Sequence, residues 1–171
     1  MIKKPQEYSK RILLAVSGMS PQIVSETLYA LTQQEPPFIP TEIRVITTTT
    51  GKQKIVKGLF EEGYFAKLCA EYALPHINFT PDHIEVIQDE TGLDLNDIKT
   101  VSQNEEAANS ICQFVKKYTS DPDSAVHVSM AGGRKSMGFL MGYAISLFGR
   151  PQDRLSHVLV TEQFESLPDF Y

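Results

Sequence analysis

The sequence predicts an α/β fold with a mostly parallel sheet and helices on both of its faces. Strand candidates alternate with helix candidates along the chain, which favours parallel strands joined by crossover helices. The segment 11–16, RILLAV, is almost continuously apolar, as central strands covered on both faces are. A further strand candidate at 125–130 leads through a glycine pair into a helix with no charged residue from Ser136 to Phe148.

Length and composition fit one domain with a sizeable core. The chain has 171 residues, 42% of them hydrophobic, so we expect a single domain over 1–171 with a loose polar arm at 1–10. The net charge of −5 argues against a broad face for duplex nucleic acid. The N-terminus lacks an apolar signal segment and the run 137–148 is too short to span a bilayer, so we expect a cytoplasmic protein that does not enter membranes. Cys69 and Cys112 match no metal-binding spacing and are expected to pack as buried apolar residues.

Periodicity and turn signals predict the remaining elements. Further strands are expected at 42–47, 84–87 and 155–160, and further helices at 21–34, 52–73 and 102–118. Ser20 is the expected N-cap of the first helix, and Ser102 with Glu105 forms the expected capping box of the third. The apolar tail from Phe164 onward is expected to pack against another surface.

The turn 131–135, AGGRK, is the strongest candidate for a ligand site. Gly132 and Gly133 would let backbone N–H groups approach a ligand closely. Arg134 and Lys135 add two cations to the positive end of the helix dipole, where they are unfavourable without a counter-charge. The turn therefore predicts a bound phosphate or another anion. The alternative is that the glycines serve only tight packing and that both cations point into water. The stretch contains neither the Walker A nor the GxGxxG pattern.

Two further loops follow strand candidates and carry hydroxyl groups. Ser17–Pro21 follows the first strand, and Thr48–Thr50 follows the second. Hydroxyls at strand ends suit ligand contact, although a threonine run is equally ordinary there. If the first strand and the strand at 125–130 are neighbours, their loops line one pocket at the carboxyl end of the sheet. The acidic loop 89–97 lacks the EF-hand pattern and is expected to be a solvated loop without metal.

Four segments occur in an order that resembles a known family. They are RILLAVSGMSPQIVSETLYAL, EIRVITTTTG, HVSMAGGRKSMGF and FGRPQDRLSHVLVTEQFESLPDFY. Together they resemble the CRISPR-associated Rossmann-fold (CARF) proteins, and most closely the small ring nucleases of type III CRISPR systems, over residues 10–171. The stretches AGGRKSM and SHVLV are fairly specific, whereas SGMSPQ alone is weak.

The resemblance implies a Rossmann-like homodimer whose two-fold axis runs through the ligand pocket. The implied ligand is a cyclic oligoadenylate, with the tetra-adenylate ring as the first candidate and the hexa-adenylate ring as the second. The implied activity is cleavage of that ring, without metal or cofactor, to linear di-adenylate ending in a 2′,3′-cyclic phosphate, which would switch off type III CRISPR signalling. By position, Ser17, with Ser20 as second choice, and Lys135 match the catalytic residues of similar enzymes. The matching ligand-binding positions are Gly18, Met19, Ser20, Pro21, Gln22, Thr48, Thr49, Thr50, Ala131, Gly132, Gly133, Arg134 and Ser136.

Elementary chemistry is compatible with this implied activity. A ribose 2′-hydroxyl can attack the adjacent phosphorus in line, so an enzyme mainly positions the attack and stabilises the added negative charge. Lys135 and the glycine N–H groups can stabilise that charge, and Ser17 can bond the 2′-hydroxyl or a phosphate oxygen. We identify no general base: His127 and His157 lie in predicted strands, where packing is the expected role, and His76 and His83 are candidates by residue type only.

Two other functions compete with cleavage. A sensor or sponge would hold the same ring without cutting it, and sequence separates it poorly from an enzyme because both use the same loops. A nicotinamide or flavin enzyme requires GxGxxG after the first strand and an acidic residue near the end of the second. This chain has SGMSPQ and a threonine run there, which disfavours that enzyme class.

Overall fold

A computed structural model describes residues 3–159, in which each of the first four strands is followed by one or more helices. The strands are β1 (Lys10–Val16), β2 (Glu42–Thr47), β3 (Ile84–Val86), β4 (Ser124–Ser129) and β5 (Arg154–Ser156). The α-helices are α1 (Gln22–Thr32), α2 (Thr49–Ile55), α3 (Tyr64–Glu71), α4 (Val101–Thr119) and α5 (Lys135–Phe148). Shorter helical turns cover Pro5–Glu7, Val56–Glu61 and Pro81–His83. No helix of this part of the chain is long and apolar enough to cross a membrane.

The strands form one parallel sheet in the order β3-β2-β1-β4-β5. The central strand β1 pairs with β2 on one side and with β4 on the other. The chain leaves β1 toward one edge of the sheet and leaves β4 toward the other, so the topological switch point lies between their carboxyl ends. The predicted α/β, Rossmann-like fold is confirmed. The loops after β1 and β4 are also neighbours, which is the condition for a shared pocket.

Two apolar cores lie on opposite faces of the sheet, because successive β1 side chains point to opposite sides. Ile12, Leu14 and Val16 pack with the buried faces of α4 and α5. Leu13 and Ala15 pack with α1, Ile55 of α2 and Leu68 of α3. All of these β1 side chains are at most 1% exposed, which explains why the strand reads as a continuous apolar run. The prediction of helices on both faces is therefore confirmed.

Two helix starts differ from prediction. Ser20 is not a side-chain cap: its hydroxyl has no hydrogen-bond partner among the described residues, and α1 begins at Gln22 directly after Pro21, whose backbone is already helical. The threonines at 48–50 follow β2, but they also form the start of α2, with Thr48 as the N-cap. The Thr48 hydroxyl caps α2 by accepting a hydrogen bond from the N–H of Gly51 at 3.3 Å.

The capping box of α4 lies two residues earlier than predicted. The Thr100 hydroxyl accepts from the N–H of Gln103 at 3.2 Å, and the Gln103 side chain accepts from the N–H of Thr100 at 3.1 Å. The predicted pair Ser102 and Glu105 has the same spacing and lies inside the helix. The helix therefore begins at Val101, two residues before the start that the Ser102 box would give.

Both ends of the chain also differ from expectation. Lys10 pairs with Ser124 in the sheet and Pro5 is buried, so any loose arm is shorter than residues 1–10. The last strand ends at Ser156, and residue 160 of the predicted strand lies outside the described residues. The apolar tail from Phe164 lies outside them as well.

Candidate functional site

A cavity of about 600 Å³ lies at the switch point between β1 and β4. This volume is within the usual range for small-molecule sites, about 300–1,000 Å³. Its wall is formed by the loop 17–20 and the first turns of α1, by Thr48 and Thr50, and by the segments 96–98, 131–134 and 157–159. The cavity wall therefore includes residues that follow each of the five strands, as in a ligand site of an open parallel sheet.

Most of the predicted site residues line this cavity, and four do not. Those on the wall are Ser17, Gly18, Met19, Ser20, Gln22, Thr48, Thr50, Ala131, Gly132, Gly133 and Arg134. Those outside it are Pro21, Thr49, Lys135 and Ser136. Lys135, one of the two predicted catalytic residues, is exposed at the first position of α5, beside the wall and not on it.

Ser17, the other predicted catalytic residue, lies at the floor of the cavity. It follows β1 directly and has no exposed surface. Its carbonyl accepts a hydrogen bond from the Thr47 hydroxyl at 2.6 Å, but its own hydroxyl has no partner among the described residues. Buried polar groups are nearly always hydrogen-bonded in native proteins. The unpartnered Ser17 hydroxyl is therefore a candidate for a hydrogen bond to a group bound in the cavity.

The glycine pair brings the β4 loop against the β1 loop. Gly132 and Gly133 have φ of +99° and +67°, in the left-handed region that favours glycine. A Cβ on Gly132 would lie 2.5 Å from the carbonyl oxygen of Val16, and a Cβ on Gly18 would lie 3.1 Å from the Cα of Gly133. The packing role considered for these glycines is therefore real. It does not exclude ligand binding, because the N–H groups of Gly132 and Gly133 have no acceptor among the described residues.

The two cations of the turn have different environments. Arg134 forms a bidentate ion pair with Asp97, whose two carboxylate oxygens both lie 2.9 Å from Nη2. Lys135 has no carboxylate within 4.0 Å among the described residues. Asp97 thus supplies the counter-charge of Arg134, and of the two cations in the turn only Lys135 is without one among the described residues. Asp97 also shows that the acidic loop is not merely solvated, since it contributes to the cavity wall.

The pKa of Asp97 is held below its ordinary value. Partial burial acts to raise this pKa, but the hydrogen bonds from Arg134 and from the N–H of Ile98 outweigh it. The side chain accordingly remains an anion near neutral pH and neutralises Arg134. Lys135 is left as the cation next to the start of α5.

Sequence reasoning missed several residues of the wall. Glu26, in the second turn of α1, lines the cavity, and it has no ion pair or hydrogen bond among the described residues. Partial burial raises its pKa above the ordinary glutamate value. One signal was available: Glu26 is the only charged residue of α1. The remaining missed positions are Ile23, Asn96, Asp97, Ile98, Met137, His157, Val158 and Leu159.

His127 and His157, the two histidines predicted to lie in strands, have different environments in the structure. His127 is 3% exposed in β4, and its Nε2 lies 2.8 Å from the Ser156 hydroxyl. Burial, reinforced by the nearby Arg154 charge, lowers its pKa to about 4, so a packing role is confirmed. His157, expected to pack within a strand, instead follows β5 and lines the cavity. In the described part of the chain, no three His, Cys, Asp or Glu side chains are grouped so as to hold a metal ion.

A parallel sheet with a small-molecule cavity at its switch point defines a Rossmann-like α/β protein. The family model described as CRISPR-associated protein NE0113 (Cas_NE0113) matches residues 20–171. The chain therefore belongs to this CRISPR-associated family. No curated protein is significantly similar to it.

Proposed function

We propose that the protein is a metal-independent ring nuclease that binds a cyclic oligoadenylate and cleaves it, with the tetra-adenylate ring as the first candidate. The observation that carries the proposal is the Ser17 hydroxyl, which is fully buried, without a partner and on the wall of the cavity. Membership of a CRISPR-associated family supports a nucleotide signal as the ligand. The resemblance of AGGRKSM and SHVLV to ring nucleases supports this particular signal.

The glycine turn supports an anionic ligand. The N–H groups of Gly132 and Gly133 have no partner among the described residues, and α5 begins two residues after Gly133 with its positive dipole end. Lys135 adds a cation that no carboxylate of the described residues neutralises. A phosphodiester of the ring would satisfy these donors together, since each linkage carries one negative charge.

The proposed reaction needs positioning and charge stabilisation. The ribose 2′-oxygen attacks the adjacent phosphorus, so the O2′–P bond forms while the P–O5′ bond breaks. The products are a 2′,3′-cyclic phosphate and a free 5′-hydroxyl. Ser17 would orient the attacking ribose, and Lys135 with the glycine N–H groups would stabilise the charge on the phosphoryl oxygens.

We also propose that the enzyme acts as a homodimer across the open side of the cavity. Phe139, Tyr143 and Leu147 follow Lys135 at intervals of four residues and are 71%, 51% and 56% exposed. They therefore form an apolar stripe on α5 that begins at the site. A second copy packed on this stripe would bury it.

The test is a single-turnover assay with labelled cyclic tetra-adenylate, excess protein and EDTA. We expect linear di-adenylate from the wild type and a loss of about 100-fold or more with Lys135→Ala, the size typical of lost charge stabilisation. Lys54→Ala is the matched control, because Lys54 is also an exposed helical lysine without an ion pair and lies off the cavity wall. Loss of wild-type cleavage in EDTA would reject the metal-free mechanism.

A non-catalytic sensor or sponge is the alternative function. It predicts that the ring comigrates with the wild-type protein and stays intact at every time point. That result would reject the nuclease and leave the cavity as a binding site. Failure of the ring to bind at all would reject both functions.

A further inference from the structure

Glu26 is the one carboxylate on the described wall of the cavity that has no counter-charge. It shares the wall with Ser17, whose hydroxyl is orphaned, and with the turn that ends at Arg134. The other carboxylate on the described wall, Asp97, is neutralised by Arg134. Glu26 lies one helical turn after Gln22, so its side chain belongs to the face of α1 that borders the cavity.

An uncompensated carboxylate is unfavourable in a cavity that binds a polyanion. Two negative groups repel each other more strongly when they are partly shielded from water. The repulsion is relieved if the carboxylate contacts a proton donor of the ligand instead of a phosphate. The donors of a cyclic oligoadenylate are its ribose 2′-hydroxyls and its adenine amines, and the 2′-hydroxyl is the group that must lose a proton for cleavage to occur.

We propose that Glu26 is the general base of ring cleavage and takes the proton of the attacking ribose 2′-hydroxyl. This inference rests on the proposed ring nuclease function. The proton passes from O2′ to the Glu26 carboxylate as the O2′–P bond forms. The P–O5′ bond breaks, and the leaving 5′-oxygen takes a proton from water in the open cavity. Glu26 then returns its proton to water, so that atoms and charge balance over one turnover.

The environment of the Glu26 side chain predicts how the rate of ring cleavage depends on pH. Partial burial raises the pKa of Glu26, and a general base acts only when it is ionised. The single-turnover rate should therefore rise with pH through this raised pKa and then level off. The other titratable or charged side chains on the described wall are Asp97, Arg134 and His157. The pKa of Asp97 is held below its ordinary value. The His157→Gln variant is therefore included to separate the contribution of His157 to the pH profile from that of Glu26.

The experiment compares Glu26→Gln, Glu26→Asp and Glu106→Gln with the wild type, from pH 4.5 to pH 8. Glu106 is the matched control, since it is a half-buried helical glutamate off the cavity wall. For Glu26→Gln we expect cleavage about 100- to 10,000-fold slower, ring binding within about twofold of wild type, and no rise of the rate with pH. Glu26→Asp should recover part of the rate, and Glu106→Gln should behave as wild type.

The possible outcomes of this experiment distinguish the general-base role of Glu26 from the nuclease activity itself. A folded Glu26→Gln protein that cleaves the ring at the wild-type rate would contradict the role of Glu26 as general base. So would a variant that binds the ring less tightly but cleaves the bound ring at the wild-type rate. Neither result would contradict the proposed nuclease activity. A pH profile abolished by His157→Gln instead assigns the base to His157. A wild type that binds the ring without cutting it overturns the nuclease and the base together. The melting temperature of Glu26→Gln at pH 7 checks folding, and it should not fall, because a partly buried charge is removed.

Discussion

Arg134 and Asp97 form a two-point ion pair on the wall of the cavity, with Nη2 at 2.9 Å from both carboxylate oxygens and Nε at 3.1 Å from one of them. The pair joins the turn after β4 to the loop that precedes α4. It also removes one positive charge from a site that we propose binds an anion. Both side chains are about half exposed, so the pair contributes little to folding stability, at most about 1 kcal/mol. Its larger effect is on the net charge of the cavity wall, because Asp97 neutralises Arg134 there.

Asp97→Asn should strengthen ring binding. The amide keeps an oxygen that can accept from the N–H of Ile98, now at 2.7 Å, but it no longer neutralises Arg134. We expect affinity for cyclic tetra-adenylate to rise about tenfold at low salt, which is 1.4 kcal/mol, and to depend more steeply on salt. Titration calorimetry at two salt concentrations measures this. Unchanged affinity and salt dependence would mean that Arg134 does not face the ligand.

The fold was predictable from the sequence, whereas the electrostatics of the site were not. The strands and helices could be predicted because each depends on the pattern of apolar residues within a short segment. The continuous apolar run at 11–16, for example, predicts a buried central strand. The pairing of Arg134 with Asp97 joins residues 37 positions apart, and no local pattern carries such a contact. For the same reason Glu26 was missed, because its place on the cavity wall depends on how α1 packs on the sheet.

Ser17→Ala should slow cleavage without destabilising the protein. Its hydroxyl has no partner to lose among the described residues, and removing an unsatisfied buried polar group is neutral or stabilising. Ser25→Ala is a close control, because the Ser25 hydroxyl in α1 is also buried and unpartnered but lies off the cavity wall. We expect both variants to melt at or above the wild-type temperature and only Ser17→Ala to lose activity. Equal activity of the two would remove Ser17 from the mechanism.

Gly132→Ala should separate the two loops that form the cavity floor. The new Cβ would meet the Val16 carbonyl oxygen at 2.5 Å and would hold an alanine at a positive φ. The backbone strain costs about 1–2 kcal/mol, and the forced contact costs about 1–3 kcal/mol more. Gly92→Ala isolates the first of these effects, since Gly92 has φ +83° with nothing within 4 Å. Urea unfolding should show the larger loss for Gly132→Ala, and equal losses would exclude the contact with β1.

Leu147→Lys should weaken self-association. Leu147 lies on the α5 stripe with Phe139 and Tyr143 and is 56% exposed, so a charge there would oppose burial against a second copy. Leu93→Lys is the control, since Leu93 is 67% exposed in a loop off the stripe. Sedimentation velocity should show a dimer for the wild type and Leu93→Lys and a shift toward monomer for Leu147→Lys. If Leu147→Lys sediments as the wild type does, the stripe is not the dimer interface.

His127 should make the protein less stable in mild acid. Its pKa is lowered to about 4 in the folded state, against about 6.5 in an unfolded chain. Between these values the unfolded state binds more protons, so stability rises with pH through this window and is lost as pH falls from about 6.5 to about 4. The full effect is about 3 kcal/mol at 1.4 kcal/mol per pKa unit.

The measurement is the free energy of urea unfolding from pH 4 to pH 7.5 for the wild type, His127→Gln and His76→Gln. Glutamine can keep the hydrogen bond to the Ser156 hydroxyl, which lies 2.8 Å from the His127 ring nitrogen, but it does not titrate. His127→Gln should therefore lose less stability in acid than the wild type does. His76 is exposed and lies outside the strands, so His76→Gln is the control for replacing a histidine elsewhere in the protein. A wild-type slope that survives in His127→Gln would show that other groups govern the acid response, and that His127 is not held neutral by its burial in β4.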